Sequence, residues 1–291
     1  MGKKATTIKE QINKLQKRNM VMDLGIEKAK EILLDIGYYR LGFYWHPFEV
    51  DKDHNLKQGT KFSDVVKLYY LDVDLKHILL KALNRIEINF KTQLIYYVSN
   101  YYDKNPTWFA DKKIVSYKYV NGFPSIYNEK FVQNNKPIKK HHSKHKNDIY
   151  APAWKTLEYL TFGSVIKLFL SLHNKELKKT IANNYGIKSL SVFENYLSTI
   201  LFVRNICAHS DLLFDSYTPL GIKSTPLINV EKNKKHSLSS SIKVICYFLE
   251  KISVNRCKET TSKIDSLFAN FKNNDSIKDI IENKIGYNFD S

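Results

Sequence analysis

Glycine and proline are scarce, at ten and seven in 291 residues. Strand-and-turn folds place these residues at their reversals, so the shortage argues against a β architecture. Cysteine is scarcer, with only Cys207, Cys246 and Cys257. An odd number without close spacing excludes a disulfide framework and suits a reducing compartment. There is no Cys-x-x-Cys pair on which to build a structural zinc site, and no metal or other cofactor is expected. No apolar run approaches the ~18 residues that a membrane span requires. The opening Met1-Gly2-Lys3-Lys4-Ala5-Thr6 lacks the apolar core of an export signal, so a cytoplasmic protein with no membrane association is expected. Its match to the loose Met-Gly-x-x-x-Thr acylation pattern is read as chance.

Arginine is the other shortage. Only five of the 46 basic residues are arginine: Arg18, Arg40, Arg85, Arg204 and Arg256. Where lysine is the default cation, each guanidinium is individually informative, because its planar fork holds a phosphate or carboxylate at two points. What the chain has in abundance is positive charge, a formal +17. That excess suits a polyanionic partner such as nucleic acid, although a lysine-rich codon bias produces the same number.

With 43% hydrophobic residues the chain can fill one large or two modest cores. Thr7 with Glu10 forms a capping-box pattern ahead of a helix through Ile12 and Leu15. A second helix is expected from Gly25 to Ile36, ended by Gly37. Residues 37–45 are dense in aromatics and read either as a base-stacking surface or, preferably, as a packed helix junction, with Tyr38, Tyr39 and Trp45 structural. Val65, Leu68, Leu75, Leu79, Leu83, Ile86 and Phe90 recur at helical steps in a long segment from Phe62 to Tyr102, with a break expected near Asp72–Asp74. Asn105-Pro106 ends it.

Residues 111–150 are polar and read as a basic loop insertion. Lys136, Lys139, Lys140, His141, His142, Lys144 and Lys146 are its candidate phosphate contacts, against the alternative of a solvated mobile loop. His141 and His145 have metal-ligand spacing, but so many lysines make a poor cation site. Helix resumes after Pro152, with Trp154, Leu157, Leu160, Val165, Leu168 and Phe169 as core candidates, and again near Leu190. Residues 218–237 read as loop, and helices are expected at Ser241–Ser253, Thr260–Phe271 and Ser276–Ile285. The expected fold is all-α, a multi-helix bundle: an N-terminal helical extension (1–60), a helical core (61–215) and C-terminal helices packing on that core (216–291).

Between Leu190 and Ala208 the charged residues are Glu194 and Arg204. Arg204 continues the Phe193, Leu197, Ile200 stripe, and a charge on that edge requires a carboxylate partner or an anionic ligand. Ser198, Phe202, Asn205 and His209 form an adjacent face. At ~100° per residue Arg204 and His209 sit about 140° apart, so they converge only through the reach of arginine, an early helix end or a second copy of the chain. A buried salt bridge plus a helix cap explains the same residues without catalysis. Cys207 lies two residues from His209 and faces away from it, so it reads as core rather than as a nucleophile. Arg85 and Glu87 cannot pair with each other on one helix, but Glu87 can satisfy Arg204 or Arg40.

Arg204-Asn205-Ile206-Cys207-Ala208-His209 fits the Arg-x4-6-His motif, with a polar residue after the arginine, of the HEPN (higher eukaryotes and prokaryotes nucleotide-binding) superfamily. The flanking sequence resembles the Abi-like abortive-infection family of bacterial phage-defence proteins. The resemblance runs through Ile36-Gly37-Tyr38-Tyr39-Arg40-Leu41, Leu83 to Thr92, Pro106-Thr107-Trp108-Phe109, Pro152 to Gly163 and Val203 to His209. It implies an all-α, dimeric, metal-independent ribonuclease with a HEPN-like core. Arg204 and His209 would be the catalytic pair and Asn205 a positioning residue. Arg40 is a separate candidate RNA contact. Many relatives carry another basic group just after the motif, where this chain reads Ser210-Asp211-Leu212.

Imidazole exchanges protons near neutrality, so His209 would deprotonate an RNA 2′-hydroxyl while Arg204 stabilises the phosphate charge. Such an enzyme implies an RNA substrate, a homodimer and a restraining regulatory RNA or protein antitoxin. Two other readings remain: a non-catalytic RNA-binding module, and a helical interaction protein without nucleic acid.

Overall fold

The computed structural model describes residues 4–289. The first three residues, and with them the start of the acylation pattern, lie outside that range. Fourteen α-helices and a few short 3-10 or π turns make up most of the described chain, and no strand forms in it beyond three isolated bridges.

The organising element is α4 (Phe62–Tyr101), a 40-residue helix about 60 Å long at 1.5 Å per residue. Val65, Leu68, Leu75, Leu79, Leu83, Ile86 and Phe90 are all buried on it, and Leu94 and Val98 extend the stripe. The expected break at Asp72–Asp74 does not occur. Aspartate interrupts helices by bonding to nearby backbone, but the Asp72 carboxylate is occupied by Tyr44 Oη at 2.9 Å and by the backbone N–H of Phe214 at 2.7 Å.

Ahead of α4 come α1 (Ile8–Lys17), with the Thr7–Glu10 capping box in place, α2 (Ile26–Asp35) and α3 (Tyr38–Trp45). Gly37 makes the turn between the last two at φ 91°, a conformation that suits a residue without Cβ. The aromatic run divides by face. Tyr44 and Trp45 are buried, as a packed junction requires, whereas Tyr39 is 82% exposed.

Residues 111–150 are not a loop. They form α5 (Tyr117–Ile126), α6 (Glu129–Asn134) and α7 (Lys136–Lys144). Pro137 occupies the first turn of α7, where its missing N–H costs nothing, and Ile138 and His141 turn inward. The aromatic rings of Phe109, Phe123, Tyr127 and Tyr150 interlock beneath them. A core built from such widely spaced aromatics leaves no periodic apolar stripe to read.

The chain continues through α8 (Ala153–Thr156), α9 (Phe162–Ser171), α10 (Lys175–Asn183) and α11 (Leu190–His209). Trp154 departs from its expected core position. Ala153 and Thr156 take the inward face of the short α8, leaving Trp154 53% exposed. After the loop at 218–237 follow α12 (Leu238–Ile252), α13 (Val254–Ala269) and α14 (Asp275–Ile280), the last running into a π turn. Helix α13 begins six residues before the expected Thr260, because Ser253 caps it by accepting from Arg256 N–H.

Helices α8 to α14 and α3 all pack on α4. One hydrophobic cluster runs from Ile12 to Ile285, with Phe248 of α12 stacked on Phe193 of α11. The C-terminal helices therefore complete the core. Among the described residues no helix is long and apolar enough to cross a membrane.

Candidate functional site

Helix α11 buries Phe193, Leu197, Ile200, Val203 and Cys207, which turns Arg204 toward α4. There Glu87, itself buried, accepts from Arg204 Nε at 3.1 Å. Its other oxygen pairs with Lys91 Nζ at 3.0 Å, one turn along α4. The Lys91 ammonium also donates to the Glu158 carbonyl at 3.4 Å. Two cations thus share one carboxylate and leave a net positive charge. The guanidinium is a quarter exposed and held through Nε. Its terminal nitrogens make no other hydrogen bond among the described residues. A partly desolvated, pre-oriented fork with free N–H groups is the arrangement that grips a phosphate.

His209 is the last residue of α11, exposed, and hydrogen-bonded to no described side chain; Asn205, one turn earlier, is exposed as well. Because the helix stays regular through His209, Arg204 and His209 keep the divergence of about 140° set by helical geometry. A single protomer presents them on different sides.

The end of this helix is held by several groups. Ser210 adopts the left-handed conformation at φ 56°, which turns the chain out of the helix. Arg40 of α3 donates to the Ser210 carbonyl at 3.0 Å, and Lys76 of α4 donates to the Asp211 carbonyl at 3.1 Å. Asp72, fully buried, pairs with Lys76 at 3.0 Å and accepts from the backbone N–H of Phe214. Three side chains from two helices therefore hold residues 210–214 by their backbone atoms. The side chain of Asp211 points to solvent without a partner.

Sequence reading did not single out Lys76 or Tyr44. The signal was available: Asp72 and Lys76 are four apart on a face otherwise filled by Leu68, Leu75 and Leu79, and a charge pair there has to serve a structure. Arg40, expected to contact RNA, is exposed and anchors the helix end through one nitrogen.

Beside this anchor Tyr38, Tyr39 and Phe43 line a cleft of about 600 Å³ together with Lys14, Arg18 and Leu212. The Tyr39 and Phe43 rings meet edge to face at 5.2 Å. Of the expected phosphate contacts, Lys136, Lys139, Lys140, Lys144 and Lys146 are exposed, the first four on α7. His141 is buried and pairs with Asp148 at 2.9 Å, and His142 is bonded to Tyr127 Oη at 2.8 Å. Desolvation is the chief cause that lowers the His141 pKa. No hydrogen bond or ion pair links α7 to α11 among the described residues. Burial pushes the Cys207 thiol up to about 12, which removes it from nucleophilic chemistry.

No curated protein and no solved structure matches the chain. A family described as Abi-like protein matches residues 31–215, the segment from α2 through the anchored end of α11 and well over half of the sequence. By that match, the chain belongs to the Abi-like protein family.

Proposed function

We propose that this protein is an abortive-infection ribonuclease of the HEPN kind, cleaving RNA without a metal ion at a site shared by two protomers. The observation that carries this reading is the state of Arg204. Its guanidinium is oriented by Glu87 and keeps its terminal N–H groups free, on the same helix as an exposed and unpartnered His209. The divergence of the two side chains in one chain favours a two-fold arrangement, in which each phosphate meets groups from both copies.

His209 takes the proton of a 2′-hydroxyl, and the resulting oxygen attacks the adjacent phosphorus. Arg204 neutralises the charge that grows on the non-bridging oxygens, which is where such a donor lowers the barrier most. The bond from phosphorus to the 5′-oxygen breaks, and the second protomer's His209 returns a proton to that leaving oxygen. The products are a 2′,3′-cyclic phosphate and a 5′-hydroxyl. Asn205, one turn from His209, positions the substrate. The exposed lysines of α7 add sequence-independent attraction to the RNA backbone, and a regulatory RNA or protein antitoxin restrains the enzyme in healthy cells.

A second reading rests on Asp211, whose unpaired carboxylate follows the motif by two residues and repels phosphate. In that case the protein holds RNA without cutting it. Induced expression separates the two. Wild type should halt growth and fragment cellular RNA, while His209→Ala should do neither. Growth arrest that persists in the variant, with intact RNA in both, would overturn the nuclease reading.

A further inference from the structure

A second concentration of positive charge lies away from α11, between α4 and α13. His77, Lys81 and Arg85 stand four residues apart on one face of α4 and look across a cleft at Arg256, Glu259 and Lys263. Ala82 and Leu249 give the cleft an apolar floor, and its volume is about 230 Å³.

The charges in this cleft do not balance. Glu259 accepts from Lys263 at 2.6 Å and from Lys81 at 3.2 Å, and the two ammonium groups hold its carboxyl down to about 2. It is the one carboxylate lining the cleft, and it is fully engaged by lysines. Arg85 and Arg256 have no hydrogen bond or ion pair to an acidic group among the described residues. Arg85 is half-buried, where a guanidinium without an acceptor is unfavourable. Two of only five arginines in the chain therefore face one small cleft, and neither has an acid. Lysine is the default cation of this sequence, so the choice of guanidinium points to an anion that offers two oxygens to a planar fork, as a phosphate does.

We propose that the cleft between α4 and α13 binds a phosphate group, gripped by Arg85 and Arg256 and flanked by Lys81 and Lys263. The cleft is smaller than the ~300–1,000 Å³ of drug-sized ligand pockets, so it encloses the phosphate while the rest of the ligand extends outward. The phosphate belongs either to a mononucleotide or to the 5′ end of a nucleic acid strand. Four of the ten residues lining the cleft come from α13, beyond the 31–215 segment that matches the family, and the proposal does not depend on RNA cleavage.

The test is calorimetric titration of the full chain with AMP, with adenosine, and with a DNA pentamer carrying either a 5′-phosphate or a 5′-hydroxyl. The pentamer lacks the 2′-hydroxyl and stays uncut. Either AMP should bind where adenosine does not, or the phosphorylated pentamer should bind at least tenfold more tightly than its hydroxyl form; the arm that discriminates identifies the source. Arg256→Gln, at an exposed position that does not threaten folding, should weaken that binding at least tenfold, and Arg256→Lys should weaken it less. Arg85→Gln should do the same, with its thermal midpoint checked beside wild type. Indifference of every probe to its phosphate, or phosphate-dependent binding that survives in Arg256→Gln, overturns the proposal.

Discussion

Arg204 and Glu87, 117 positions apart in sequence, meet at 3.1 Å where α11 crosses α4. Glu87 also holds Lys91, so it is the single counter-charge for two cations in a largely desolvated place. Removing one partner of a buried pair strands the other charge, at a cost of about 3–5 kcal/mol when burial is complete. Arg204 is a quarter exposed, which lowers the figure. Glu87→Ala should therefore lose about 2–3 kcal/mol in urea denaturation. A loss below ~0.5 kcal/mol, the range of ordinary surface changes, would mean that the pair does not hold these helices together.

The anchor at the end of α11 makes a second prediction. Asp72 is fully buried and joins Tyr44, Lys76 and the backbone at Phe214. Asp72→Ala should cost about 3 kcal/mol or more, because it leaves Lys76 uncompensated and backbone donors unpaired. Tyr44→Phe removes one hydrogen bond and should cost about 1 kcal/mol. Thermal unfolding of the two variants side by side checks the ranking; the reverse order would contradict the network.

Much of this architecture was legible in the sequence, and the failures are specific. The stripe from Val65 to Phe90 predicted the central helix, and the position of Arg204 beside Ile200 predicted that its charge needed a partner. Asp72 misled because helix propensity registers only local competition, whereas its carboxylate is taken by α3 and by backbone 142 residues away. The helices of 117–144 escaped notice because their packing rests on a few interlocked aromatics instead of a repeating face. Trp154 was misplaced because a helix of four residues has no periodicity to read. At the site, spacing alone gave the divergence of Arg204 from His209, but no local signal shows that Arg40 and Lys76 reach the carbonyls of residues 210 and 211.

Cys207 sits within the motif and is chemically idle. With its thiol pushed up to about 12 by burial, it should resist a disulfide-exchange reagent at pH 8 in the folded protein and react promptly in denaturant. Cys207→Ala should retain RNA cleavage. Loss of cleavage with an unchanged thermal midpoint would assign the sulfur a role that its burial argues against.

His141 gives the protein an acid-sensitive joint. Its pKa is lowered, chiefly by desolvation and against the opposing pull of Asp148, with Lys155 and His145 adding to the lowering. The unfolded chain therefore binds a proton at higher pH than the folded one, so stability falls as pH drops below the ordinary imidazole value of ~6.5. Urea midpoints at pH 7.5 and 5.5 should show a smaller acid loss in His141→Gln than in wild type. Equal losses in both proteins would place the acid sensitivity elsewhere.

The most direct measurement concerns His209. It is exposed and unpartnered, so His209→Ala should leave stability within about 0.5 kcal/mol of wild type. Purified wild type and variant, incubated separately with end-labelled single-stranded RNA in EDTA, then give the decisive comparison. The account predicts cleavage by wild type alone, products ending in 2′,3′-cyclic phosphate, and no action on DNA. Cleavage by both proteins, or cleavage that EDTA abolishes, would contradict it.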